Sequence, residues 1–179
     1  DPEELAIVER TLAPQTAVLA LLRHMIASQE DTEVRSGALL ALSLTRSPED
    51  ASLFVDALAD DQIAEAAERS LRFYGQNEGS AVLSATKTAG PVARGAAISM
   101  VPLVARDGEA VLLLREALGA AEPDVVVAAL RGLAELGQAQ DLPHVCALSS
   151  SDNPSVCVAA SHTIAALAEL YPEAAAAAW

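Results

Sequence analysis

One pattern of apolar and small residues recurs five times along the chain. It reads Val34-Arg35-x-x-Ala38-Leu39-x-Ala41-Leu42, Ile63-Ala64-x-x-Ala67-Glu68-x-Ser70-Leu71, Val92-Ala93-x-x-Ala96-Ala97-x-Ser99-Met100, Val125-Val126-x-x-Ala129-Leu130-x-Gly132-Leu133 and Val156-Cys157-x-x-Ala160-Ser161-x-Thr163-Ile164. Apolar side chains at i, i+4 and i+8 form one stripe of an α-helix. The middle position is alanine in every copy, and the residue before the last is always small (Ala41, Ser70, Ser99, Gly132, Thr163), which lets a neighbouring helix approach closely. First residues are spaced 29, 29, 33 and 31 apart, room for two short helices and two turns.

Boundary chemistry keeps the same beat. Asp31-Thr32, Asp60-Asp61, Gly90-Pro91, Pro123-Asp124 and Asn153-Pro154-Ser155 precede the stripes, where side chains cap free N–H groups or proline needs no donor. Ser47-Pro48, Gly75, Gly108, Gly137 and Tyr171-Pro172 read as stops. A second helix is expected in each copy, over Ala51 to Leu58, more faintly Ser80 to Ala85, then Val111 to Leu118 and Leu142 to Leu148. Upstream, Glu4 to Leu12 and Ala17 to Ile26, separated by Pro14, form a pair lacking the signature. After Ser155 to Leu170 only Pro172-Glu173 and an alanine run to Trp179 remain, a shortened unit that either caps the stack with Trp179 over the last apolar face or is followed by further repeats in a longer parent, the second being the expectation.

Asp31, Val34, Arg35, Ala38, Ala41 and Leu42, with the turn Arg106-Asp107-Gly108-Glu109-Ala110, resemble the HEAT-like repeats of phycobilisome lyases across about residues 31 to 170. The resemblance implies an all-α fold, a right-handed α-solenoid of about five to six stacked hairpins. Its units run approximately 1–30, 31–60, 61–90, 91–121, 122–152 and 153–179 within a single 1–179 domain. The arginine after the first apolar residue survives only as Arg35, replaced by Ala64, Ala93, Val126 and Cys157. An arginine ladder built on that position is therefore mostly absent.

Composition narrows the function. Apolar residues make up 52% and aromatic residues 3%, so the interior is built from small side chains. With 25 acidic against 11 basic residues and a net charge of -14, the chain repels phosphate backbones and anionic membranes. No nucleic-acid or membrane partner is expected, and the compartment expected is the cytoplasm. Cys146 and Cys157 fall inside apolar helical runs and read as small hydrophobes. His24, His144 and His162 are dispersed and lack a paired acidic neighbour, so no metal or other cofactor is expected. No nucleophile motif or phosphate-cradling loop occurs, and Asp60-Asp61 and Ser149-Ser150-Ser151-Asp152 read as helix-start chemistry.

The function expected is therefore a non-catalytic scaffold or adaptor. Aligning the second helices places Ala20, Leu53, Val82, Leu113 and His144 at one outward position, and Arg23, Asp56, Ala85, Glu116 and Ala147 three residues later. An apolar row with charged neighbours suits a protein or peptide with a basic surface. Leu53, Asp56, Val82, Leu113, Glu116, His144 and Arg23 are the candidate binding residues. The family resemblance also implies an alternative, a bilin lyase or isomerase subunit that assists attachment of a chromophore.

Overall fold

A computed structural model describes residues 16–28 and 31–178. Among these residues the chain is helical and contains no strand. The helices are α1 (Thr16–Ala27), α2 (Thr32–Ser43), α3 (Ala51–Ala57), α4 (Ala64–Thr88), α5 (Pro91–Val104), α6 (Gly108–Ala117), α7 (Pro123–Leu136), α8 (Leu142–Leu148), α9 (Pro154–Leu170) and α10 (Pro172–Ala178). Single 3-10 turns, Pro48–Asp50 and Ala139–Asp141, lead into α3 and α8. The expected pair partner at Glu4 to Leu12, Pro14 and Trp179 lie outside the described residues. The chain divides into two compact units, Asp1–Ala93 and Arg94–Trp179.

Helix starts follow the sequence closely. Asp31 accepts from the Glu33 N–H at 2.8 Å, Asp107 from the Ala110 N–H at 3.0 Å, and Asn153 from Ser155 and Val156 at 2.9 and 3.3 Å. Asp60 accepts from the Gln62 N–H at 3.0 Å. The bonds at Asp31, Asp107 and Asn153 satisfy donors that a first turn leaves open, and the Asp60 bond closes the turn ahead of α4. The Ser149–Asp152 stretch acts one step back: the Ser151 hydroxyl accepts from the Asn153 N–H at 3.2 Å, and Asn153 is the cap.

Two expected stops are overturned. Gly75 does not end a helix; it is buried inside α4, which runs on to Thr88 through a kink at Glu78 (φ -118°, ψ 33°). The first and second helices of that copy thus meet at Glu78, three residues beyond the expected stop. Gly108 opens α6, because α5 has already ended at Val104. Gly137 does close α7, its N–H bonded to the Leu133 carbonyl at 2.8 Å.

In the first unit α1 packs on α2, α2 on α4, and α3 on α4. In the second, α6 packs on α7, α7 on α9, α8 on α9, and α10 on α8 and α9. Four of these pairs, α1 with α2, α3 with α4, α6 with α7 and α8 with α9, join a second helix to the first helix of the following copy, one helix out of phase with the expected units, while α2 with α4 and α7 with α9 join first helices of consecutive copies. The small positions permit it. A Cβ on Gly132 would sit 2.7 Å from a Leu114 methyl of α6, so glycine sets that approach. Thr163 is buried in the contact between α7 and α9, its hydroxyl donating to the Leu130 and Ala159 carbonyls at 2.8 and 2.9 Å. Tyr74 fills the first unit's core, its ring 4.9 Å from Phe54 and its hydroxyl donating to the Ser47 carbonyl at 2.7 Å. Burial pushes that phenol above the ordinary tyrosine range.

The third copy is shifted by one residue from its expected register. Val92 is 75% exposed and Ser99 is exposed, while Ala93, Ala97, Met100 and Val101 are buried. Starting the stripe at Ala93 makes the repeat spacings 29, 30, 32 and 31, more even than the sequence pattern alone suggests.

Gly137 has a φ of -65°, open to any residue, yet a Cβ there would lie 2.3 Å from the Leu133 carbonyl oxygen. Gly137→Ala is expected to lower unfolding free energy by about 1–3 kcal/mol, read as a lower urea midpoint at unchanged slope.

Candidate functional site

An arginine-to-carboxylate clamp occurs once in each unit. Arg23 of α1 reaches Asp50 at the foot of α3, with Nε to Oδ1 at 2.6 Å and a second nitrogen to Oδ2 at 3.1 Å. Arg115 of α6 reaches Asp141 at the foot of α8 with the same two distances. Each aspartate side chain is only 3% exposed. A carboxylate so buried needs a countercharge and directed donors, and the planar guanidinium supplies both in one two-pronged contact. Asp141 accepts a further bond from the Gln138 N–H at 2.8 Å, which closes the turn ahead of α8. The aspartates raise the affinity of Arg23 and Arg115 for their protons above the ordinary range, through the hydrogen bond first.

Arg35 ties three segments differently. Its Nε donates to the Ile26 carbonyl near the end of α1 at 3.1 Å, and another nitrogen bonds Asp60 at 2.7 Å. That contact, then the Gln62 N–H, holds the Asp60 carboxyl below the usual carboxylate range. Ladder contacts between consecutive copies therefore exist: Arg35 carries one from a first helix, and Arg23 and Arg115 carry two from second helices.

In the second unit the clamp forms part of a cleft of about 650 Å³ between α6 and α8, lined by Arg115, Leu118, Gly119, Gln140, Asp141, His144, Ala147 and Leu148. Leu118, Ala147 and Leu148 are apolar, His144 stands exposed at the edge, and Arg115 meets Asp141 across it. A more open hollow adjoins at Arg115, lined also by Asp107, Glu109, Leu112 and Gln138, with Leu112 54% exposed. The volume lies in the range that holds a small ligand or the anchor side chains of a peptide.

The predicted outward row is only partly outward. Leu53 is half-buried and His144 exposed, but Val82 and Leu113 are each 1% exposed and belong to the core. The cause is a one-residue error in register. Buried Ala51, Phe54 and Val55 of α3 and its cap Leu58 correspond to Ala110, Leu113, Leu114 and Ala117 of α6, and to Val82, Leu83 and Thr86 at the end of α4. The outward equivalents of Leu53 and His144 are accordingly Ala81 and Leu112. In the charged row Asp56 and Glu116 are exposed, whereas Arg23 is engaged by Asp50. Arg115, the neighbour of Glu116, plays the role of Arg23. Leu53, Asp56, Val82 and Arg23 belong to the first unit; Leu113, Glu116 and His144 belong to the second, and of these three His144 lines the cleft. Arg115 and Asp141 were missed because their pairing spans 26 residues. The signal was present as an aspartate just ahead of α3 and of α8.

Cys146 and Cys157 are free, half-buried thiols, and the Cys157 Sγ donates to the Ser151 carbonyl at 2.9 Å. His24, His144 and His162 are all exposed. Among the described residues no three His, Cys, Asp or Glu side chains gather as a metal site, and no helix is long and apolar enough to cross a membrane.

Removing one partner of the clamp leaves a charge stranded. Arg115→Met is expected to cost about 2–3 kcal/mol in urea unfolding, less than for a fully buried pair because Arg115 retains 28% exposure. The double substitution Arg115→Met with Asp141→Leu is expected to recover at least half of that loss. Asp60, whose carboxyl is depressed in the folded state, stabilises the fold above the ordinary carboxylate range, and that contribution disappears as pH falls through its lowered value. Arg35→Met should therefore flatten the acid limb of a melting-temperature profile between about pH 5 and pH 2.

No protein-family model matches the chain, and no curated protein matches it in sequence. Any function assigned to it rests on its own residues.

Proposed function

We propose that the chain is a non-catalytic adaptor, a stack of HEAT-like helical hairpins whose cleft between α6 and α8 receives a protein or peptide partner with a basic, partly apolar surface. The observation that carries this reading is the cleft itself. Apolar walls stand beside a charge pair that is already neutralised, so an incoming apolar side chain can cover Arg115 and Asp141 without stranding either. Exposed Asp107, Glu109 and Glu116 on α6 and its cap, with a net charge of -14, favour a basic partner by steering its approach. Leu112 extends the apolar surface one turn along the helix from Arg115.

Ala147 is exposed and lines the cleft, so Ala147→Arg fills it and opposes a basic partner without disturbing the core. The variant is expected to melt like the parent chain while recovery of partners by affinity capture and mass spectrometry falls roughly tenfold. Capture by the parent chain should weaken between about 0.05 and 0.3 M salt. Undiminished recovery of the same partners by the variant would contradict the assignment.

A further inference from the structure

The second unit carries a second groove, on other helices and of different charge. It lies between α7 and α9, holds about 370 Å³ and is lined by Val127, Arg131 and Ala134 on one side and Pro154, Ser155, Val158, Ala159, His162 and Thr163 on the other. Val158 is 56% exposed, while Ala159 and Thr163 are buried and form the floor. In a chain with 25 acidic and 11 basic residues, no lining residue of this groove is a carboxylate. Arg131 and His162 are both exposed. Among the described residues neither is paired with an acidic side chain, although Arg23, Arg35, Arg69 and Arg115 are. Glu135, one turn beyond Arg131, is exposed and does not line the groove.

An unpaired guanidinium beside exposed Val158 and half-buried Val127 offers two things at once: apolar area that water covers poorly and a fork of donors suited to a carboxylate. The imidazole across the groove adds a donor and, when protonated, a second positive charge. A furrow between two packed helices accepts a third helix by its i, i+3 and i+4 side chains. From this lining we infer that the groove between α7 and α9 docks an acidic amphipathic segment of a protein partner. Apolar side chains lie over Val127 and Val158, and an Asp or Glu meets Arg131. The inference is independent of the cleft between α6 and α8 and stands whether or not that cleft binds anything.

The test pans a phage-displayed library of random peptides against the full chain, then measures synthetic peptides of the enriched clones by fluorescence anisotropy. Enriched sequences are expected to combine Asp or Glu with Leu, Ile, Val or Phe at helical spacing. Affinity should fall roughly tenfold on Arg131→Glu and on Val158→Glu, and remain unchanged on Ala147→Arg in the other cleft. Arg131→Lys should retain part of it. Because Arg131 and Val158 are exposed, their variants should melt with the parent chain. Three results would overturn the inference: enriched peptides without acidic residues, affinities indifferent to both Arg131→Glu and Val158→Glu, or self-association of the chain that Arg131→Glu abolishes, which would make the occupant a second copy.

Discussion

A carboxylate buried at the foot of a short helix, gripped by one arginine of the preceding copy, is the constraint around which each unit is arranged. Asp50 and Asp141 are almost fully removed from water, and the guanidinium that meets each edge-on supplies the countercharge and the donors that such burial demands. The pairs span 27 and 26 residues, nearly one repeat, so the same contact serves at the same place in two copies. It ties consecutive second helices at one point. In the second unit the space between α6 and α8 beside that tie is the cleft.

The layer beneath is held by a different economy of space. Gly132 against Leu114, and Thr163 against the Leu130 carbonyl, let α7 approach α6 and α9 at distances larger side chains would forbid. A buried threonine hydroxyl is tolerable because both of its acceptors are backbone carbonyls within 3 Å. Ser70, the corresponding residue of the second copy, is buried with no partner for its hydroxyl, and nothing around it explains why serine rather than alanine stands there. With so few aromatic residues the interior gains its contacts from many small faces. Phe54 and Tyr74 are the exception in the first unit.

The two grooves of the second unit follow from the same helices presenting different edges. Between α6 and α8 the charges are already paired, and carboxylates stand close by on α6; between α7 and α9 a guanidinium and an imidazole stand unpaired beside valine. A partner reaching the first meets a neutral floor with acidic surroundings, and one reaching the second meets local positive charge within an acidic protein. Such contrast on neighbouring surfaces gives each a different electrostatic preference without any change of backbone.

The stripes and their capping residues were legible in the chain because helical periodicity and first-turn chemistry are local: Asp31, Asp107, Asn153, Pro91 and Pro123 act where they stand. Tertiary packing decided which residue of an apolar run faces inward. In Val92-Ala93 and Leu112-Leu113 two adjacent positions satisfy the same pattern, and only the neighbouring helix distinguishes them. Gly75 stays buried within the helix, and the break in α4 comes three residues later, at Glu78. Of the partnership between Arg115 and Asp141 the chain showed locally only one half, an aspartate just ahead of α3 and of α8. The pairing joins side chains 26 residues apart, and the cost of isolating a carboxylate from water arises only once the fold has excluded the water.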